Sequence, residues 1–224
     1  MANSSGIEWL YEDNHLLGIF KPAGLLSQAD RTGDPDVVSL ARSYLKIRFN
    51  KPGNVYVGLV HRLDRPVSGA MVLARTSKAA GRLSNAFRER RVRKKYLAVL
   101  EGRLTGRGVL HNAIHKDTRT GRVSIDPVRG KEAVLQYQVL GGIGQETLVE
   151  ISLKTGRPHQ IRCQFAHKGF PLVGDLRYGA PRQFDGRNLA LHCVELAFEH
   201  PVRPKTVVIR AALPVTWARY AALF

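Results

Sequence analysis

Val55-Tyr56-Val57-Gly58-Leu59-Val60-His61-Arg62-Leu63-Asp64-Arg65-Pro66-Val67-Ser68-Gly69-Ala70-Met71-Val72-Leu73-Ala74 is the stretch from which fold and chemistry are read. The apolar runs Val55–Val60 and Ala70–Ala74 each predict a short strand, because four to eight apolar residues bounded by turn formers pack as strands. Between them a polar loop sets Asp64 between Arg62 and Arg65 and ends at Gly69, which lets the chain turn. Flanking positive charge favours the charged form of a carboxylate, so this aspartate can act as a nucleophile. An aspartate in such a loop is also a common turn former or cap, and the loop alone leaves both readings open.

Upstream of this stretch, Ile7 to Phe20 reads as two strands joined at Asp13-Asn14, and Lys21-Pro22-Ala23-Gly24 stops the second. From Asp36 a helical period carries Val37, Leu40, Ala41, Tyr44, Leu45 and Arg48, with Asp34 or Asp36 as the cap, and Lys51-Pro52-Gly53 ends it. Ser77 is placed as the cap of a second helix carrying Leu83, Ala86 and Phe87. The basic stretch 88–95 and a strand over Tyr96–Leu100 follow. Four further strands are predicted at Val109–His115, Val123–Ile125, Ala133–Leu140 and Thr147–Leu153, and a short helix over 159–168. Leu189–Phe198 and Thr206–Leu213 read as strands, and the last ten residues as a short amphipathic tail with Trp217, Tyr220 and Leu223. Gly141-Gly142-Ile143-Gly144 sits between two strand-like runs and reads as a hairpin turn, not a phosphate loop. The class is α+β: an extensive mixed, mainly antiparallel β-sheet flanked by helices and loops, in one domain over residues 1–224, with no repeat or linker.

Hydrophobic residues make up 44% and charged residues 24% of 224, which excludes disorder, collagen-like repeats and a coiled coil. The charge is unusual: 35 Lys and Arg against 18 Asp and Glu give a net +17, which calls for a polyanionic partner, nucleic acid or an anionic membrane surface. Cys163 and Cys193 form no metal-like pair, so a reducing compartment is expected. The amino terminus lacks a signal-peptide pattern and no run of about 18 apolar residues occurs, so the expectation is a cytoplasmic protein without a membrane role. There is no G-x-x-x-x-G-K-[ST], no H-E-x-x-H and no G-x-S-x-G, and His159, His167, His192 and His200 lack companions at ligand spacing, so no metal site is expected.

Leu153-Lys154-Thr155-Gly156-Arg157-Pro158-His159-Gln160-Ile161-Arg162 follows a strand and opens a helix, placing arginines and backbone N–H groups to meet an anion. With the Asp64 loop, Lys21-Pro22-Ala23-Gly24, Lys94-Lys95-Tyr96-Leu97-Ala98 and Gly174-Asp175-Leu176-Arg177-Tyr178-Gly179, it resembles the RluA-type family of RNA pseudouridine synthases. The resemblance implies the pseudouridine synthase catalytic fold, isomerisation of uridine within RNA, and no metal or organic cofactor. It makes Asp64 the catalytic aspartate; attack on the sugar or the base and proton removal from the sugar all remain open as first steps. Arg62 would fill the space vacated by the extruded nucleotide. Tyr96 would pack on the uracil, although a core aromatic at a strand start fits equally well, and Arg162 would pair with the catalytic aspartate. Ile161 would line the uracil pocket, with ordinary core packing an equal alternative. Lys21, Arg65, His159 and Gln160 would support substrate binding, whereas His61 reads as a hydrogen-bonded structural histidine.

Arg88, Arg90, Arg91, Arg93, Lys94 and Lys95 are the expected RNA-backbone contacts, with the arginines at 119, 122 and 129 beside them. Val67 stands where the family usually has threonine and Pro158 where it has a polar residue, which puts the geometry of the Asp64 loop in question. Because the first motif begins at Lys21, no small S4-like amino-terminal RNA-binding domain is expected. The expected partner is ribosomal or transfer RNA and the expected state a monomer. The competing readings are a catalytically inactive RNA-binding relative, and a glycosidase-like enzyme that would want a second carboxylate near Asp64.

Overall fold

The computed structural model describes residues 7–186 and 188–223. In chain order its elements are β1 (Glu8–Glu12), β2 (Leu16–Lys21), α1 (Val37–Arg48), β3 (Gly58–Leu59), β4 (Ser68–Ala74), α2 (Ser77–Arg88), β5 (Arg93–Glu101) and β6 (Arg107–Lys116). There follow β7 (Val123–Ile125), β8 (Lys131–Ile143), β9 (Glu146–Leu153), α3 (Gln160–His167), a 3-10 turn at Leu176–Tyr178, β10 (Leu191–Glu199), β11 (Thr206–Arg210) and a 3-10 helix at Val215–Leu223. The chain forms two compact units, Met1–Val92 with Val194–Ala212, and Arg93–Cys193 with Leu213–Phe224.

In the first unit the strand order is β1-β2-β4-β10, with β3 on β4 and β11 on β10. β1–β2, β2–β4, β3–β4 and β10–β11 are antiparallel. Every residue of β4 is buried, which explains its unbroken apolar run: a strand covered on both faces has no reason to alternate. α1 starts where Asp36 accepts from the N–H groups of Val38 (2.9 Å) and Ser39 (3.2 Å), and it buries Val37, Val38, Ala41 and Leu45. The cap of α2 is Thr76, one residue before the expected Ser77; its side chain accepts from Ala79 N–H. The strand expected over Val55–Val60 contracts to Gly58–Leu59, the two residues in register with Ala74 and Leu73 of β4.

The β1–β2 turn is tied down by one carboxylate. Asp13 accepts from His15 N–H (2.8 Å), Leu16 N–H (2.9 Å), the Tyr11 hydroxyl (2.8 Å) and His200 Nε2 (2.9 Å). His200 Nδ1 accepts from the N–H groups of Val202 and Arg203, which leaves the ring proton on Nε2, facing Asp13. Burial raises the Asp13 pKa, but the His15 N–H and the other donors outweigh it and hold the carboxyl at about 2, against 3.8 ordinarily. Its folded pKa is depressed, so the stability it contributes is complete above pH 3.8 and lost as the pH falls towards 2. Acid unfolding followed by circular dichroism should therefore shift to higher pH in Asp13→Asn.

In the second unit the order is β5-β9-β8-β6-β7, and each pair is antiparallel. β8 and β9 join through Ile143↔Glu146, with Gly144 at φ 61, so the glycine-rich segment is the expected hairpin. β5 begins at Arg93, three residues before the expected strand. The carboxy-terminal 3-10 helix buries Trp217 and Tyr220, and the Tyr220 hydroxyl donates to Glu146 (2.6 Å), which also pairs with Arg182 and Arg219. The α+β class with its mainly antiparallel strands holds. Among the described residues no helix is long and apolar enough to cross a membrane.

Candidate active site

Asp64 sits half-buried in the loop between β3 and β4, and that loop is fastened on both sides of it. Val67 N–H bonds to Asp64 O (3.0 Å), closing a tight turn through the main chain. Val67 is itself buried, so the turn forms without the hydroxyl that a threonine would bring. One residue before Asp64, Leu63 is gripped by Ser27, whose Oγ donates to its carbonyl (2.6 Å) and accepts from its N–H (3.2 Å). One residue after, the Arg65 carbonyl accepts from Gly24 N–H (2.8 Å) and Lys21 Nζ (3.2 Å). The Arg65 side chain returns to Gly24 O (3.0 Å) and pairs with Asp34 (2.7 Å). His61 Nε2 accepts from Val72 N–H (3.0 Å) and its ring stacks on Phe87 at 4.6 Å, a structural role that leaves Nε2 no part as a base. At the far end Gly69 adopts φ 124, a backbone that side chains disfavour.

Lys21 departs from its expected place among substrate-meeting groups. It is 0% exposed, and Nζ donates to Pro22 O (2.9 Å) and Leu25 O (2.8 Å) as well as Arg65 O, which occupies all three ammonium protons. Burial pulls its pKa down to about 7, Asp64 opposing and Arg65 adding to the shift. Lys21 acts through the loop, by joining the Lys21–Gly24 turn to the turn that carries Asp64.

In the second unit α3 supplies the other group of expected residues. His159 precedes it in a left-handed conformation (φ 50), with Nδ1 2.9 Å from the Tyr178 hydroxyl. Burial pushes the Tyr178 pKa up to about 12, so this hydroxyl stays protonated. Arg162 is buried and bidentate to Asp175, Nε to Oδ2 at 2.7 Å and Nη2 to Oδ1 at 2.9 Å, while its guanidinium lies 5.1 Å from the Tyr178 ring centroid. Gln160 also departs from expectation. Its Oε1 accepts from Thr155 Oγ1 (2.7 Å) and Arg157 N–H (3.0 Å), and its Nε2 donates to Gln164 (3.1 Å), so its polar atoms hold the helix entry together inside the unit. Ile161 and Tyr96 are buried, Tyr96 opposite Ile151 in the β5–β9 ladder.

Of the basic residues, Arg62, Arg88, Arg90 and Arg93 are exposed. Arg91 is exposed but paired with Glu89 (2.6 Å), Lys95 faces Glu150 (3.3 Å), and Lys94 is half-buried. Arg119 and Arg122 are exposed and Arg129 pairs with Asp126 (2.8 Å). Ser27 and Asp175 are the functional supports that sequence reasoning missed. Asp175 lay within a recognised segment, but nothing in a 13-residue separation marks it as the partner of Arg162. Among the described residues no cluster of three or more His, Cys, Asp or Glu could hold a metal ion.

Comparison with known proteins supplies the family. Residues 15–167 match the family described as RNA pseudouridylate synthase, and the chain belongs to that family. It is 36% identical to ribosomal large subunit pseudouridine synthase D of Xylella fastidiosa, over 93% of this chain and 66% of that protein. It is 31% identical to tRNA pseudouridine synthase C of Salmonella typhi, over 97% of this chain and 90% of that protein. The chain also spans 66% of ribosomal large subunit pseudouridine synthase C of Buchnera aphidicola subsp. Baizongia pistaciae, at 31% identity. The solved structure of human RNA pseudouridylate synthase domain containing 4 superposes with a TM-score of 0.78 at 25% identity, covering 96% of this chain and 92% of that one.

Proposed function

We propose that this protein is an RNA pseudouridine synthase that isomerises uridine in structured ribosomal or transfer RNA, with Asp64 as its catalytic aspartate. The observation that carries the reading is the Asp64 turn: inside the family match, it is anchored at Leu63, Arg65 and Val67, with Arg62 and Arg65 on either side of Asp64 in the sequence. Such anchoring presents a carboxylate in a fixed position, which is what attack on a sugar or base, or removal of a sugar proton, requires. The glycosidic N1–C1′ bond breaks, the uracil turns while bound, C5 joins C1′, and the proton displaced from C5 leaves.

In this reading Arg62 enters the space left by the extruded uridine, Tyr96 and Ile161 line the uracil, and Arg162 holds charge opposite the reacting carboxylate. Lys21 and Arg65 position the turn; His159 and Gln160 position the start of α3. The two units are read as one catalytic domain, since the match with the Salmonella protein extends across both. Exposed arginines from 88 to 93 contact phosphates, and the protein works as a cytoplasmic monomer.

Purified protein incubated with unmodified total RNA should form pseudouridine without releasing uracil. Binding without product would support an inactive relative, and free uracil a glycosidase. Raising salt from about 50 to about 200 mM should weaken RNA binding by orders of magnitude, as measured by filter binding, if several phosphates are contacted. Lys21→Met should lower kcat by on the order of 10²-fold through a displaced Asp64, with KM for RNA little changed; initial rates over a range of RNA concentrations check this.

A further inference from the structure

A cavity of about 590 Å3 opens in the second unit between β7, α3 and the 3-10 turn Leu176–Tyr178, within the ~300–1,000 Å3 range of small-molecule sites. Its floor is apolar: Val123 and Ile125 come from β7, Cys163 and Ala166 from α3. Burial pushes the Cys163 thiol pKa up, so the thiol stays protonated and serves as apolar lining and not as a nucleophile. The rim is cationic. Arg122 and Arg177 carry its charge, the exposed His167 stands beside them, and no carboxylate is found among the described residues that line the cavity.

The rim is built into the fold. Arg122 ends a turn closed by Asp117 N–H to Arg122 O (2.9 Å) and Gly121 N–H to Asp117 O (2.9 Å), and Arg177 Nη2 donates to Gly121 O (2.9 Å). Arg122 and Arg177, both lining the cavity, therefore meet at one ordered turn, Arg122 through its main chain and Arg177 through its guanidinium. Tyr178 forms a wall of the cavity, and the same ring lies beneath the Arg162 guanidinium while its hydroxyl meets His159. The cavity is thus one aromatic ring away from the buried Arg162–Asp175 pair.

An inorganic anion would need no apolar floor, and an apolar ligand would need no arginines. A planar base with an attached phosphate needs both. We propose that this cavity holds one unstacked nucleotide of the bound RNA, distinct from the target uridine, with its base on the Val123–Ala166 floor and its phosphate between Arg122 and Arg177. The proposal rests on the chain's being an RNA-acting enzyme. It gives the second unit a means of choosing RNA by a nucleotide that can leave its stack.

The test uses the full chain with 4-thiouridine-substituted ribosomal and transfer RNA transcripts. Ultraviolet crosslinks should fall on peptides containing 122–125 or 163–167. The double variant Arg122→Ala, Arg177→Ala should flatten the slope of log affinity against log salt by about 0.7–0.9, the share of the one phosphate the two arginines hold. Ala166→Phe, which fills the floor, should lower RNA affinity about tenfold. Crosslinks confined elsewhere, with an unchanged salt slope in the double variant, overturn the site even if pseudouridine forms. Crosslinks at the site without pseudouridine overturn the enzymatic reading and leave the site standing. Millimolar uridine 5′-monophosphate shifting the Ser124 and Ala166 amide resonances, with no RNA crosslink there, overturns the RNA assignment in favour of a free mononucleotide.

Discussion

Asp64→Asn is expected to abolish turnover, by about 10⁴-fold or more, while RNA affinity stays within a few-fold. Asparagine keeps the size of the side chain and removes its charge and its capacity to form a bond or take a proton. The turn should survive the change, because the Asp64 main-chain carbonyl, not its carboxylate, closes it with Val67. Ser27 still grips Leu63, and Lys21 still holds Arg65. The exposed arginines assigned to phosphate contacts lie elsewhere in the sequence. Single-turnover rates and filter binding on the same preparation separate the two effects, and a parallel loss of binding and turnover would count against the role given to Asp64.

Asp175→Ala is expected to have the largest effect on stability. It leaves the Arg162 guanidinium, 7% exposed, without the carboxylate that accepts two of its hydrogen bonds. Breaking a buried ion pair by removing one partner costs about 3–5 kcal/mol, and at about 2–4 °C per kcal/mol for a chain of this length the melting temperature should fall by on the order of 10 °C. The double variant Arg162→Leu, Asp175→Leu removes both charges and should recover much of that loss. Activity is the discriminating readout. If Arg162 serves the reaction, the refolded double variant binds RNA and forms no pseudouridine; if the pair is scaffolding alone, turnover returns with stability.

How much of this was legible in the sequence depended on the range of the interactions. The α1 cap at Asp36, the hairpin at Gly144 and the placement of Asp64 at a strand end all follow from residues within a few positions of one another. The structural part of His61 was readable too, although its partner at Val72 was not. The burial of Lys21 is invisible in the sequence, because the three carbonyls that make it tolerable include one 44 residues away. Gln160 differs: its partners Thr155 and Gln164 lie within five residues, but the direction an amide side chain takes leaves no pattern in the sequence. Asp175 went unassigned because a 13-residue ion pair produces no periodicity. β3 shrank because strand length is set by the partner's register, which apolar patterning does not record. The family's ordered motifs, by contrast, lay in the sequence itself.

The net charge of +17 named a polyanion, and the arrangement of the basic groups divides that charge by task. Arg91, Lys95 and Arg129 have carboxylate partners, Lys21 and Arg162 are buried, and Arg62, Arg88, Arg90 and Arg93 stand exposed. Only part of the charge is therefore offered to phosphates.

The proposed reaction is isomerisation of uridine at C5 through Asp64. The most direct measurement uses RNA from a strain lacking the gene, labelled with tritium at uracil C5. Wild-type protein should release tritium to water in step with pseudouridine, without free uracil, and Asp64→Asn should release none. RNA binding with no tritium release from any RNA fraction, or uracil set free from the chain, would contradict it.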